Sequence, residues 1–595
     1  MTASRVEVRR GTYHDSVTLM QVSRQAEELP GVEAAAAVAA TPVNLELLER
    51  QGFAVDAGGL GPGDLVVCVR AVDEEAADRA LEQVGKLLAG VGRGAGTEAG
   101  PGVAAPRSLR AAARRDPELN LAVLSVPGRH LHYEIAEALQ AGLHVFCFSD
   151  GLEVAAEAAC KRFAAGRGLL LMGPDCGTAI LDGVGLGFAN AVRRGPVGVV
   201  GASGTGIQEV TCLLDAAGVG ISQAVGVGGR DLSPEVGGIM TLRALELLAR
   251  DPATERLVVI SKPPDPQVAR RVADAAATTG KPTVLAFPGM PDPPPLPPGV
   301  TFAGSLEAAA AWAAGGGTPV VHSPPAAPSS PVPAVTPGAV RGLFCGGTLC
   351  YEAMAVVAGV VGRVVSNIPL RPEWRLADPN RSEGHTFVDF GDDAMTEGRA
   401  HPMIDPGLRN ERFRREAADP GTGVVLLDVV LGSGAHPDPA GELAPLVERA
   451  LADRPGGLSV VVALCGAAAD PQGLDGQAAA LRAAGALVTR SSAQAARLAL
   501  AAAGLDRAAP RPAPAGRRAP LPGGLEGMTF RPGPGPGGPG AVPGRPRPPR
   551  PGGRGGEGGG PGSPGTPRPD GEGGEGGGPG SPGPGRPGGE GGGRP

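Results

Sequence analysis

The stretch that decides the fold is VGVVGASGTGIQEVTCLLDAAG, residues 197–218. A short apolar run leads through glycine, serine and threonine into a second apolar segment, so the pattern predicts a strand, a tight turn and a helix. Two interpretations of the turn stay open. It is a purely structural connection, or it is a cradle in which Ser203, Gly204 and Thr205 hold an anion, because free amides at a helix start admit a phosphate.

A second version of this motif occurs further along, in GLFCGGTLCYEAMAVVAG, residues 342–359. Aligning SGTGIQEV with GGTLCYEA pairs Ser203 with Gly346, Gly204 with Gly347, Thr205 with Thr348 and Glu209 with Glu352. The shared order of strand, turn and helix indicates an internal duplication. The sequence therefore predicts two helix starts, one from each lobe, that point at a single anion.

The alternation of strand and helix patterns around these motifs indicates a doubly wound α/β fold. From residue 119, short continuous apolar runs alternate with helical patterns and Gly/Pro/Ser turns, for example LHVFCFSDG, ERLVVISKPP and KPTVLAFPG. Such runs are typical of parallel strands covered on both faces. The first 88 residues differ, because their order of strand and helix patterns predicts a small α+β module of ferredoxin-like type.

Composition limits the classes of partner. The 595 residues carry a formal charge of −7 and include 98 Gly and 63 Pro, and residues 505–595 hold so few apolar residues that we predict a disordered tail. No basic stripe with aromatics suggests nucleic acid, and no apolar run suggests a membrane span. The eight cysteines form no CxxC pair, which favours reduced thiols in the cytosol over disulfides or zinc.

Several motifs resemble the succinyl-CoA synthetase superfamily. Residues 173–177, GPDCG, resemble a turn of that enzyme's α subunit, and both Gly-Thr motifs and VGVGGRD at residues 225–231 resemble its signatures. The N-terminal module and HTFVDFGDDAMTEGRAHPMIDP, residues 385–406, resemble the FdrA branch of the superfamily. The resemblance spans residues 5–501.

The resemblance implies an α/β chain with a CoA-binding Rossmann-like domain and two flavodoxin-like ligase domains. The implied boundaries are an N-terminal module at 1–88, a linker at 89–118, the CoA-binding domain at 119–194, ligase domain 1 at 195–321, a Pro-rich linker at 322–338, ligase domain 2 at 339–504 and the tail at 505–595. Coenzyme A is expected at Pro127, Gly173, Pro174 and Cys176. Hetero- or homo-oligomeric subunits are expected as partners.

Three functions follow from the resemblance. The first is an acyl-CoA synthetase of the ADP-forming succinyl-CoA ligase type, which holds an acyl phosphate-like anion between the two helix starts at Ser203–Gly204–Thr205 and Gly346–Gly347–Thr348. The second is a carbamoyltransferase subunit, because the FdrA branch is linked to carbamoyl transfer between carbamoyl phosphate and oxamate in purine-nitrogen catabolism. The third is a scaffold without turnover. The sequence does not decide whether ATP, ADP or Mg²⁺ takes part.

The chain also departs from the superfamily pattern. The histidine that relatives phosphorylate is missing after the strand in residues 281–290, Lys262 stands where relatives have a carboxylate, and no ATP-grasp domain is recognisable. Candidate catalytic groups are therefore Lys262, His401 and His436. Each histidine is either a proton-transfer group or a loop residue bonded to nearby carboxylates. Asp389, Asp392 and Asp393 either bind Mg²⁺ or form a solvated turn, and we predict no metal site.

Overall fold

The two large sheets consist of short apolar strands buried on both faces. The computed structural model describes residues 2–12, 14–94, 106–315 and 335–505. Within these ranges the expected α/β fold is confirmed, with parallel sheets and a small N-terminal module. No helix in these ranges has the length and apolarity that a bilayer span needs.

The N-terminal module is an antiparallel three-stranded sheet with strand order β1-β3-β2. Its elements are β1 (Ala3–Arg9), α1 (Ser16–Glu27), β2 (Val32–Ala39), α2 (Pro42–Arg50), β3 (Leu65–Ala71) and α3 (Glu74–Gly94). Thr41 begins α2, because its side chain accepts the Asn44 N–H and Pro42 fits the first helical position. The strands and helices predicted for this module are confirmed.

The predicted linker at 89–118 needs correction, because much of it is helical. Helix α3 runs on to Gly94, and α4 (Leu109–Arg115) begins where Ser108 accepts the Ala111 N–H at 3.2 Å. Alanine and arginine are good helix formers, which explains why α4 forms there. Residues 95–105 lie outside the described part of the chain.

A smaller parallel sheet follows, with strand order β4-β5-β6. Its elements are β4 (Leu121–Leu124), α5 (Gly128–Gln140), β5 (His144–Cys147), α6 (Val154–Gly166) and β6 (Leu171–Met172). The strands are parallel, as the apolar runs predicted, and helices connect them in the Rossmann-like arrangement that the resemblance implied.

Ligase domain 1 has a seven-stranded sheet with strand order β13-β12-β11-β9-β10-β7-β8. Its elements are β7 (Thr178–Leu181), β8 (Val184–Gly187), β9 (Arg194–Gly201), α7 (Gly204–Ala216), β10 (Ile221–Gly226), α8 (Ile239–Arg250), β11 (Arg256–Ile260), α9 (Pro266–Thr278), β12 (Thr283–Ala286), β13 (Val300–Ala303) and α10 (Leu306–Ala314). The predicted boundary at 194/195 is corrected here. The β7–β8 hairpin pairs antiparallel with β10, so the sheet of this domain already includes residue 178.

Ligase domain 2 has a six-stranded parallel sheet with strand order β15-β16-β14-β17-β18-β19. Its elements are β14 (Ala339–Phe344), α11 (Gly347–Val361), β15 (Val365–Ser366), β16 (Thr386–Asp389), α12 (Asp393–Thr396), α13 (Gly407–Ala418), β17 (Thr422–Val430), α14 (Pro439–Asp453), β18 (Ser459–Cys465), α15 (Leu474–Ala483), β19 (Leu487–Thr489) and α16 (Ser492–Ala502). The chain leaves β14 for β15 and β16 on one side and crosses to β17 on the other. Ligands of such sheets bind beyond the carboxyl ends of the strands at this switch point.

The two ligase domains share one apolar core, in which α7 of domain 1 packs against α11 and β18 of domain 2. Residues 316–334 of the predicted Pro-rich linker lie outside the described part of the chain. The linker's C-terminal end is not loose, because Thr336 is buried and its N–H donates to the Ala502 carbonyl. Of the predicted disordered tail, only Leu505 falls within the described residues.

Candidate functional site

The two predicted turns meet directly in the structure. Ser203 caps α7 by accepting the Gly206 N–H at 2.8 Å, and its hydroxyl donates to Thr348 Oγ1 in α11 at 2.7 Å. Gly346 occupies the corresponding cap position of α11, and a Cβ there would lie 2.8–2.9 Å from three atoms of Thr205. The structure thus brings the two helix starts into contact, as the duplicated motif suggested.

Both helix starts retain free donors. The backbone N–H groups of Gly204, Thr205, Gly347 and Thr348 have no hydrogen-bond acceptor among the described residues. The N–H groups of Cys345 and Gly346, which precede the start of α11, are not free, because the Asp428 carboxylate accepts them at 2.7 and 2.8 Å. The free N–H groups and the positive ends of the two helix dipoles favour an anion where the helix starts meet.

Lys262 adds a full positive charge to the same place. It follows β11, and its Nζ lies 3.0 Å from the position that a Cβ on Gly347 would take. Lys262 is exposed and forms no ion pair within the described residues. An unpaired ammonium beside the start of α11 favours an anionic ligand.

Asp389 faces Lys262 and the start of α11 from the end of β16. Its side chain is buried, with Oδ1 accepting the Gly391 N–H at 2.9 Å. Its Oδ2 lies 2.6 Å from the position of a Cβ on Gly347 and has no hydrogen-bond partner among the described residues. Burial raises the pKa of Asp389 to about 7, and the charge of Lys262 only partly opposes that shift.

His401 lies at the same edge of the sheet. A Cβ on Gly391 would lie 2.9 Å from its Nε2, and its Nδ1 accepts the Met403 N–H at 3.2 Å. Burial lowers the pKa of His401 to about 4, so the ring is neutral at pH 7. Since Nδ1 accepts a hydrogen bond, the proton resides on Nε2, which makes His401 a neutral donor rather than a nucleophile at that atom.

Asp175 is a residue that the sequence analysis did not select. It has a left-handed backbone conformation with φ of 55°, and its Oδ2 lies 3.0 Å from the position of a Cβ on Gly229. Burial raises the pKa of Asp175 to about 7, with Asp393 and Asp150 adding to the shift and Lys262 opposing it. Asp175 is nevertheless exposed to solvent, although charged groups of several neighbouring elements surround it.

His436 is not at the paired helix starts. Its Nε2 lies 2.7 Å from Arg24 Nη2 of helix α1, and its Nδ1 lies 3.1 Å from the Asp438 N–H. Burial and the Arg24 charge lower its pKa. The side chain of His436 therefore connects ligase domain 2 with the N-terminal module, while its backbone N–H donates to the carbonyl of Met403, two residues from His401.

The residues predicted to bind coenzyme A fall into two groups. Pro127 precedes α5, whose first turn has no side-chain cap and includes Arg129, so this helix start suits a phosphate group. Gly173, Pro174 and Cys176 are buried instead, and a Cβ on Gly173 would lie 2.3 Å from the Cys147 carbonyl oxygen. These three residues pack the turn and do not line a surface. Burial raises the pKa of the Cys176 thiol to about 12.

Two glutamates from the duplicated motif fasten the ligase domains to each other. Glu209 in α7 accepts the Ser492 N–H at the start of α16 at 3.1 Å. Glu352 in α11 accepts the Leu306 N–H at the start of α10 at 2.6 Å. Each domain thus caps the last helix of the other, and burial raises the pKa of both carboxyls. This reciprocal capping keeps the two helix starts opposed.

The described residues contain no group of three histidine, cysteine or acidic side chains arranged for a metal ion. In the N-terminal module the single thiol, Cys68, is buried in β3, and burial raises its pKa to about 12. A heavy-metal ion needs thiolate or imidazole ligands. The module offers one buried thiol and the single imidazole of His14, and its described residues form no metal-binding group, so its donors do not fit such an ion.

An open depression of about 500 Å³ lies elsewhere, lined in part by Asn190, Arg193 and Asp215. Arg193 and Asp215 pair across it at 2.8 Å, so its charges are already neutralised. None of the residues at the paired helix starts lines it. We therefore place the candidate site at the helix starts.

The comparisons with known proteins agree with this architecture. Residues 343–502 match the CoA-ligase family, residues 192–289 match a CoA binding domain, and residues 1–102 match a domain described as "AllF, heavy metal-associated domain". The CoA binding match begins at residue 192, C-terminal to most of the segment 119–194 for which we predicted that function. The fold and these matches define a protein of the CoA-ligase class.

Individual relatives give the narrower assignment. YahF of Escherichia coli (strain K12) is 40% identical over 500 residues, which cover 82% of this chain and 96% of YahF. The chain therefore belongs to the CoA-ligase superfamily, in the family that includes YahF. The α subunit of succinate–CoA ligase [ADP-forming] from Aquifex aeolicus (strain VF5) is 30% identical over 183 residues, or 30% of this chain and 58% of that subunit.

A solved structure, the dinucleotide-forming acetyl-coenzyme A synthetase 1 from Ca. Korarchaeum cryptofilum, aligns with 69% of this chain and 87% of its own. Its identity is 16% and its TM-score is 0.28, too low to define a common overall arrangement.

Proposed function

We propose that the chain binds an acyl phosphate-type anion at the paired helix starts and transfers its acyl group directly, as an acyl-CoA synthetase-like enzyme of the FdrA branch. The observation that carries this proposal is the contact between two helix starts whose first amides are free, beside the unpaired Lys262. Four free amides and an ammonium can bind the phosphoryl oxygens and stabilise the phosphate that leaves. Coenzyme A would lie at the start of α5 and present its thiol as acceptor.

Direct transfer fits the residues better than a phosphohistidine relay. Residues 281–300 contain no histidine. His401 is close to the site, but its Nε2 carries the proton of the neutral ring and has no free lone pair to attack phosphorus. Lys262, which replaces a carboxylate of the relatives, favours binding of the anion itself.

A second candidate is carbamoyl phosphate as the acyl phosphate, with the chain acting as one subunit of a carbamoyltransferase. The same helix starts can hold its phosphoryl group. The resemblance of the N-terminal module and of residues 385–406 to the FdrA branch favours this candidate, because that branch is linked to carbamoyl transfer. In this case the acceptor is a nitrogen compound instead of coenzyme A, and partner subunits supply the rest of the site.

The test is isothermal titration of the full-length protein with acetyl phosphate and with carbamoyl phosphate, each with and without coenzyme A. Formation of acetyl-CoA with release of phosphate supports the synthetase. Binding of carbamoyl phosphate that coenzyme A does not influence supports the carbamoyltransferase. Failure of the protein to bind either phosphate contradicts both candidates and leaves a scaffold function.

Lys262→Ala should weaken binding of either phosphate about tenfold, because a charge-assisted contact to the phosphoryl group is lost. Lys86→Ala is the matched control. Lys86 also loses one positive charge on substitution, but it pairs with Glu82 in α3 at 2.8 Å, within the N-terminal module. Equal affinities for the Lys262 and Lys86 variants would contradict the position of the site.

A further inference from the structure

We propose that Asp389 is the catalytic acid of this site. When an anion binds at the paired helix starts, the Asp389 carboxyl takes up a proton and donates a hydrogen bond from Oδ2 to the anion. This inference rests on the proposed function for the position of the anion. It adds a role for a residue that the sequence analysis considered only as a Mg²⁺ ligand or as part of a solvated turn.

The geometry leaves one oxygen of Asp389 available. The side chain is 3% exposed, and Oδ1 is engaged by the Gly391 N–H. Oδ2 points to the first residue of α11, where a Cβ on Gly347 would lie 2.6 Å from it and 3.0 Å from Lys262 Nζ. An anion bound by the amides at that helix start would therefore contact Oδ2.

An ionised carboxylate in this place opposes anion binding, because two like charges in a poorly solvated site repel each other strongly. The protonated carboxyl has the opposite effect, since its O–H is a donor directed at the anion. Burial already raises the pKa of Asp389 to about 7, so the proton is available near neutral pH. Bound anion also compensates the Lys262 charge, which raises this pKa further.

Charged and titratable groups on the elements that pack against Asp389 influence its pKa. Lys262 lowers its pKa, whereas Asp392 and Asp428 raise it. Asp428 is fixed by two backbone N–H groups and by Arg409. His401 is neutral above about pH 5 because its pKa is about 4. The thiols of Cys345 and Cys350 have pKa values raised by burial and stay protonated.

In the transfer step this proton has a defined route. The bond between the acyl carbon and the phosphate oxygen breaks, and a bond forms between the acyl carbon and the acceptor atom. The proton of Asp389 goes to the leaving phosphate, and the proton of the acceptor's S–H or N–H returns to Asp389. Acyl phosphate and acceptor thus become acylated acceptor and hydrogen phosphate, with Asp389 again protonated.

The probe for the test is sulfate, because its charge does not change between pH 6 and pH 8. For a group with a pKa of about 7 that must be protonated, sulfate affinity of the full chain should fall about tenfold over this range. Titrations at pH 7 in buffers of different ionisation enthalpy should show uptake of about half a proton per sulfate. Asp389→Asn keeps an acceptor for Gly391 and should remove both effects.

Asp175→Asn is the discriminating control, because Asp175 also has a pKa of about 7 and also faces Lys262. It should leave the pH dependence in place. Loss of the dependence in the Asp175 variant, or its persistence in Asp389→Asn, overturns the assignment to Asp389. Sulfate binding that is independent of pH in the wild type overturns proton uptake but leaves the proposed function intact. No sulfate binding at either pH overturns both.

Discussion

Gly346→Ala tests the contact between the two helix starts. Gly346 has φ of −111° and ψ of 111°, a conformation that alanine adopts freely, so the substitution changes only the space available. The new Cβ would lie 2.8, 2.9 and 2.9 Å from Cγ2, Cβ and Oγ1 of Thr205. Ordinary carbon contacts are about 3.5–4.0 Å, so the two turns must separate.

Overpacking of this kind costs about 1–3 kcal/mol of unfolding free energy, because Thr205 Cβ is attached to backbone and cannot swing away. Urea unfolding followed by tryptophan fluorescence measures it, since Trp312 lies in the shared core. Sulfate affinity should fall as well, because the amides of the two starts no longer converge on one anion.

Two variants control the interpretation. Gly359→Ala lies in the same helix with no atom within 4 Å of its Cβ, so it should stabilise the protein by about 0.5–1 kcal/mol through helix propensity. Adding Thr205→Gly to Gly346→Ala should recover part of the lost stability, because it removes the atoms that collide. If Gly346→Ala keeps wild-type stability and sulfate affinity, the contact between the starts is wrong.

Three further predictions concern other buried groups. Glu352→Gln should gain stability relative to the wild type, on the order of 2 kcal/mol, as pH rises from about 5 to 8. The reason is that the buried Glu352 carboxyl of the wild type has a raised pKa and destabilises the fold when it ionises, whereas glutamine does not ionise. Equal urea midpoints of the two proteins across this range would contradict the prediction. The Cys176 thiol should resist iodoacetamide at pH 8 in the folded protein and react after unfolding, as mass spectrometry of the peptide would show. Arg24→Ala should raise the pKa of His436 in an NMR titration, because a neighbouring positive charge is removed, whereas the exposed Arg79→Ala should leave it unchanged.

Much of the fold could be predicted because buried parallel strands are continuous apolar runs. The equivalence of the two Gly-Thr turns also followed from sequence, since Ser203 and Gly346 occupy the same cap position and Glu209 and Glu352 the same helical position. These features are local. The strand, the turn and the first residues of the helix lie within about ten residues of each other, so local propensity and periodicity determine all three.

The β7–β8 hairpin shows where local information ends. Its residues follow the GPDCG turn and were assigned with the domain before it, but they pair with β10 of ligase domain 1. Which sheet edge a short strand joins depends on a partner more than forty residues away, as in the pairing of Ile180 with Ala224. No pattern within the strand itself specifies that choice.

The burial and the contacts of charged residues were harder to predict from the sequence than the strands. Glu157 and Lys161 have the spacing of a solvated helix pair, but both are fully buried and Lys161 also binds Asp231. Lys262 and Asp389 come together only because two domains join at their strand ends. The position of Asp389 at the end of a strand was the available signal, since functional groups of α/β sheets collect there. His436 has the same position, but Arg24 of the N-terminal module covers it.

The most direct measurement is a crystal structure of the full chain grown with sulfate at pH 6. We predict one sulfate whose oxygens lie about 2.7–3.2 Å from amide nitrogens of both helix starts, at Gly204 or Thr205 and at Gly347 or Thr348, with Lys262 Nζ as a further ligand. Sulfate bound to one start alone, or found only at other places on the surface, would contradict a shared anion site.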